Sequence, residues 1–193
     1  QDDGGKDILA GISMFPDKVM ACENNRDLDG AEQLLEQITS IVPDILIKYG
    51  CLLSSRSKTG EAIDIFTKAI TVKPSSIGFN NLACCYALKG DTFKAINSCK
   101  KAVELDGDNI DAVSNLAGLY YKSNQFDEAI KVYSEILSIL SNDSESLLLL
   151  SNCYFKKGAY ESAVLGYQSV LQLDPGNEDA KKNLAASQSM LNK

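Results

Sequence analysis

The strongest nucleophiles in this chain are six thiols, Cys22, Cys51, Cys84, Cys85, Cys99 and Cys153, and no histidine accompanies them. Without an imidazole the chain lacks the usual general base for a thiol or hydroxyl nucleophile, and the commonest metal ligand. No two cysteines stand in a Cys-x-x-Cys pair, so zinc binding and dithiol exchange have no visible site. A phosphate-cradling Gly-x-x-x-x-Gly-Lys loop and a Gly-x-Ser-x-Gly elbow are also missing. The thiols read instead as small apolar core residues, kept reduced in a reducing compartment. The expectation is a protein that is not an enzyme, with no cofactor and no metal. What is left for recognition is amide and carboxylate chemistry. Asn81, Asn115 and Asn183 recur along the chain, and 26 acids face 19 bases.

That balance, a net charge of −7, argues against a nucleic-acid backbone or an anionic membrane surface as the main partner, because both select a basic face. No stretch is long and apolar enough for direct membrane insertion, and no signal-peptide pattern opens the chain. A cytoplasmic location is expected. The start on Gln1 rather than Met reads as a processed or excised chain. The sequon Asn142-Asp143-Ser144 would matter only in a secreted one.

Helices must position these side chains. In Asn115–Ser141, Leu116, Ala117 and Tyr120 share one helical face, Asn124 interrupts it, and Phe126, Ala129, Ile130, Tyr133 and Ile136 form a second. Alanines equivalent to Ala129 recur as Ala31, Ala62, Ala95 and Ala163, at successive separations of 31, 33, 34 and 34 residues. A period near 34 signals stacked helical hairpins rather than one central core. Five hairpins are expected, at 12–42 (the least regular), 43–75, 76–109, 110–143 and 144–176. Residues 1–11 form a flexible lead-in, and 177–193 a helix whose polar outer face suits a C-terminal cap. In the first hairpin, helices are expected over Pro16–Glu23 and Leu28–Ile41, with Pro43 beyond the end of the second.

This pattern resembles the tetratricopeptide repeat family over roughly residues 12 to 191. In that family small residues recur at the eighth, twentieth and twenty-seventh positions, with a proline near the thirty-second. The eighth-position residues here are Val19, Gly50, Ala83, Ala117 and Ser151, and the twentieth are the five alanines. The twenty-seventh are Ile38, Ala69, Ala102, Ile136 and Val170. Proline stands at Pro43, Pro74 and Pro175 and gives way to Gly107 and Ser141. Val19 departs from the pattern. The resemblance implies an all-α fold, a right-handed α-solenoid of about five such hairpins plus a C-terminal capping helix, with the first helices lining a concave groove.

It also implies which residues line that groove. At the sixth position stand Lys48, Asn81, Asn115 and Asn183, with Leu149 between the last two, while Asn80 and Asn152 occupy other groove positions. A ladder of asparagines can bond the main chain of an extended peptide without choosing its side chains; equally, asparagine before leucine is common in the repeat. Asp111 and Glu145, with Asp44 and Asp179, make an acidic rail favouring a peptide with basic side chains; equally, acids at helix starts complement the helix dipole. Tyr86, Tyr120 and Tyr154 are core positions, whereas Tyr121 and Phe155 are candidate apolar anchors for a partner. The lysines and arginine with which some family members clamp a terminal carboxylate are missing. The implied function is a non-catalytic protein–protein interaction module that binds an extended peptide or helix in its groove. Two alternatives stay open: a scaffold or self-association module in a larger assembly, and the recognition arm of a larger enzyme.

Overall fold

The structure, a computed structural model, describes the backbone of residues 28–192 and side chains from residue 42 onward. The expected lead-in, the helix over Pro16–Glu23 with Val19, and Cys22 lie outside the described residues, as do the side chains of Ala31 and Ile38. Nine helices and no strand occur among the described residues: α1 (Leu28–Ser55), α2 (Thr59–Val72), α3 (Ser76–Leu88), α4 (Thr92–Leu105), α5 (Ile110–Lys122), α6 (Phe126–Ile139), α7 (Ser144–Lys157), α8 (Tyr160–Leu173) and α9 (Glu178–Leu191). The fold is all-α, built as a solenoid of hairpins.

The chain divides into two compact units, residues 1–90 and 91–193. In the first, α2 packs against both α1 and α3, and α1 also touches α3. In the second, each helix from α4 to α9 packs against the next, and α7 also meets α9.

Small residues permit the close packing. Ala62, Ala95, Ala129 and Ala163, the four described members of the alanine series, are completely buried, and so are Ala83, Ala117 and Ser151 at the eighth position. At the other described eighth position a Cβ on Gly50 would lie 2.6 Å from the Phe66 ring. Large side chains then fill the spaces around these contacts: Phe66, Tyr133 and Tyr167 stand at equivalent places in α2, α6 and α8 and are fully buried. Burial of this apolar seam is what holds the helices of each unit together.

Local signals start and stop the elements. Ser75, Asp91, Asn109, Asp143 and Asn177 each precede a helix and accept a hydrogen bond from the backbone N–H three residues on, satisfying one of the orphan donors of the first turn. Among the described residues the turn inside each hairpin passes through one left-handed residue: Ser57 (φ 61°), Gly90 (φ 79°), Asn124 (φ 59°) and Gly158 (φ 80°). The break expected at Asn124 is this turn.

One boundary differs. Leu28–Ile41 was expected to end before Pro43, and a new helix to begin there. Instead α1 runs unbroken from Leu28 to Ser55 with Pro43 inside it. The reason lies in the flanks. The later connections contain Asp-Gly-Asp-Asn at 106–109 and Asp-Pro-Gly-Asn at 174–177, whereas Pro43 sits in Ser-Ile-Val-Pro-Asp-Ile-Leu, with no glycine, asparagine or aspartate before it. Proline then removes one backbone bond, but its buried ring and the apolar residues around it keep the helix going.

Candidate functional site

The groove residues implied by the sequence fall in both units: Lys48, Asn80 and Asn81 in the first, the others in the second. Lys48 is exposed on α1, and Asn80 and Asn81 are half-buried on α3. Asn81 Nδ2 lies 3.5 Å from Cys51 Sγ on α1 and donates to it.

In the second unit the same pairing recurs with better chemistry. Asn183 Nδ2, on α9, donates to Asn152 Oδ1 on α7 at 3.0 Å. Each pair joins the sixth position of one hairpin's first helix to the ninth position of the preceding one. Asn152 Oδ1 accepts a second bond, at 2.7 Å, from the hydroxyl of Tyr167 on α8. Three helices therefore meet on one carbonyl oxygen. Both donations arrive at Oδ1, so the NH₂ end of the amide, with its two donors, is the end turned away from them.

Asn115 is half-buried on α5. Asp111 and Glu145 are exposed in the first turns of α5 and α7, where the helix dipole favours an acid. The two candidate anchors are engaged inside their own hairpins. Tyr121 meets Phe126 edge-on at 5.8 Å between ring centroids, and Phe155 meets Tyr160 likewise at 5.6 Å. Both residues are half-buried. Tyr120 is buried and Tyr86 and Tyr154 pack against core clusters, as expected of core positions.

Sequence reasoning missed Tyr167 as a member of this network. Its signal is chemical: a tyrosine where phenylalanine would pack equally well carries a hydroxyl that must find a partner when buried.

The described cysteines are thiols. Burial pushes Cys153 up to about 12 and raises Cys51 and Cys85 above the ordinary thiol value; neutral thiols are poor nucleophiles. Cys51 and Cys84 are exposed and Cys85, Cys99 and Cys153 buried. Native-state alkylation with iodoacetamide, resolved by peptide mass spectrometry, should therefore label Cys51 and Cys84 at least about tenfold faster than the buried three, which react only through local opening. Equal rates would contradict the packing. Among the described residues no group of three His, Cys, Asp or Glu could hold a metal ion, and no helix is long and apolar enough to cross a membrane.

Known proteins show the same organisation. A tetratricopeptide repeat family model matches residues 86–153, and the model for subunit 3 of the anaphase-promoting complex, or cyclosome, matches 122–193. The small glutamine-rich tetratricopeptide repeat-containing protein 2 of Mycosarcoma maydis is 34% identical over 169 residues, covering 87% of this chain and 35% of that protein. The chain spans 35% or less of the length of such curated relatives. Among solved structures, YrrB, described as a TPR protein with an unusual peptide-binding site, superposes with a TM-score of 0.71 at 22% identity, over 82% of this chain and 83% of that one. The first TPR domain of Spaghetti (RPAP3), bound to the HSP90 peptide SRMEEVD, gives 0.57 at 20% identity, over 61% and 94%. With the buried alanine series repeating every 33 or 34 residues through the described hairpins, these matches make the chain a member of the tetratricopeptide repeat family.

Proposed function

We propose that the chain is a non-catalytic protein–protein interaction module, and that its 91–193 unit holds an extended segment of a partner across the faces of α5, α7 and α9. One observation carries the reading: the carboxamide of Asn152 is held by Tyr167 and Asn183 through its oxygen, which presents its N–H donors to a peptide carbonyl without an ordering cost on binding. Asn115 supplies a second amide one hairpin earlier. Asp111, Glu145 and Asp179 open the same three helices, which favours a segment carrying Lys or Arg. The two solved structures named above lend precedent, one bearing a peptide-binding site and the other holding a peptide on this fold. The proposed setting is the cytoplasm, where thiols stay reduced.

The test is fluorescence anisotropy of the whole chain against a library of extended peptides, with and without basic residues. For the tightest binder, Asn115→Ala should weaken affinity roughly fivefold, the effect of about one hydrogen bond. Asp111→Asn with Glu145→Gln should slow association and flatten its salt dependence. Helicity should stay unchanged in both. Unaltered affinity in Asn115→Ala would place the peptide on another surface.

The short share of its relatives that the chain spans favours a second reading alongside the first, in which this module is the recognition arm of a longer protein.

A further inference from the structure

Each second helix in the 91–193 unit ends on a large apolar side chain that the fold leaves in water. Leu105 at the end of α4 is 49% exposed, Ile139 at the end of α6 is 67%, and Leu173 at the end of α8 is 44%. They stand 34 residues apart, at the same place in successive hairpins, so the stacking of the hairpins sets them in a row along one edge of the unit. Leu140 follows Ile139 and is also exposed. A single exposed leucine is ordinary, but a row repeated in register is a patch.

Acids outnumber bases around the row, Lys101 one turn before Leu105 and Lys181 beside Glu178 being the nearby cations. None of the three last turns contains a basic residue. The connections that follow bring Asp106 and Asp108, then Asp143, then Asp174, and each next helix opens with at least one further acid. An apolar row flanked by carboxylates complements an apolar stripe flanked by cations.

We propose that this edge docks the apolar face of a basic amphipathic helix from a partner protein, a surface distinct from the helix faces that carry Asn115 and Asn152. An amphipathic helix presents such a stripe, its apolar residues recurring at heptad spacing along one face with the cations beside them. Lysines or arginines beside that stripe then lie over the aspartates of the connections.

The probe is a 21-residue peptide with leucine at heptad spacing and lysine elsewhere, read by fluorescence anisotropy against the full chain. Two companions share its length: one with the same composition scrambled to destroy the apolar stripe, one with glutamate replacing lysine. Both companions should bind at least tenfold more weakly, and the lysine peptide should gain helicity on binding. Ile139→Ser with Leu173→Ser should weaken the lysine peptide at least tenfold. Leu165→Ser, which removes an exposed leucine elsewhere on α8, and Asn115→Ala should leave it unchanged. If the double variant loses helicity, Ile139→Lys alone carries the same test. Equal binding of the scrambled peptide, an equal loss in Leu165→Ser, or undiminished binding in the Ile139 and Leu173 variants would overturn the proposal. So would a change in sedimentation of the unliganded double variant, which would make a second copy of the chain the occupant. Loss in Asn115→Ala alone would move the peptide to the other face.

Discussion

Tyr167→Ala is expected to destabilise the second unit by about 3–5 kcal/mol, the usual cost of emptying a large buried aromatic site. Tyr167 is fully buried in a cluster with Ala163, Val170 and Ala180, and Leu147, Tyr154 and Leu184 pack against that cluster. Truncation leaves a cavity at the meeting of α7, α8 and α9. Tyr167→Phe separates packing from hydrogen bonding: the ring stays, and Asn152 Oδ1 keeps only the bond from Asn183, so the loss should be about 1 kcal/mol. The phenol also predicts a pH signature. Burial raises its titration above the ordinary value of 10, so above that pH the unfolded chain sheds a proton that the native state keeps. Unfolding free energy then falls as pH rises, and Tyr167→Phe should shallow that fall. Urea unfolding at pH 7 and pH 10.5 measures both. Hydrogen exchange should report the Tyr167→Ala loss in α7–α9 and leave α1–α3 unchanged, since hairpin stability is set by immediate neighbours.

The seam that Tyr167 belongs to was legible because small residues at helix crossings announce themselves by type. Ala62, Ala95, Ala129 and Ala163 set the register, and the large residues follow at fixed offsets. The continuity of α1 was not legible. Proline is a strong local stop, and only the lack of a glycine, asparagine or aspartate in Ser40-Ile41-Val42 argues the other way. The candidate site was half visible. Its asparagines stood out by position, but their partners lie 30 or 31 residues back, and that adjacency exists only once the hairpins are stacked. For Tyr121 and Phe155 the sign was present and local: each is followed five residues later by another aromatic, Phe126 and Tyr160, across the hairpin turn. A solvent-facing anchor and a ring clasped across a turn share the same residue type, so composition alone does not separate them.

Gly166→Ala carries the second large effect, and its sign runs against helix propensity. On propensity alone, alanine in mid-helix should stabilise by about 1 kcal/mol. Here the new Cβ would lie 2.1 Å from Ser151 Oγ and 3.0 Å from Ser151 Cβ. The hydroxyl cannot swing aside without cost, because it donates to Leu147 O at 2.7 Å. Ser151 is itself completely buried on α7. The helices must separate, which costs about 1–3 kcal/mol and exceeds the propensity gain. Ser151→Gly removes both obstructing atoms, so the double variant should recover at least about 1 kcal/mol relative to the sum of the single changes. Thermal melts of the four proteins complete the cycle. A Gly166→Ala protein that melts higher than the parent would show that α7 and α8 do not approach this closely.

Within each unit the described helices pack against the next helix and, in places, the next but one. Such short-range wiring gives the chain an unusual response to tension. Load applied through the two ends of the 91–193 unit is not shared by a common nucleus, so the unit should yield from its termini one hairpin at a time, at modest force and over a long extension. Relaxed, it should wind back quickly, because each hairpin needs only its neighbour as a template. A module built this way can act as a compliant spring between whatever it joins.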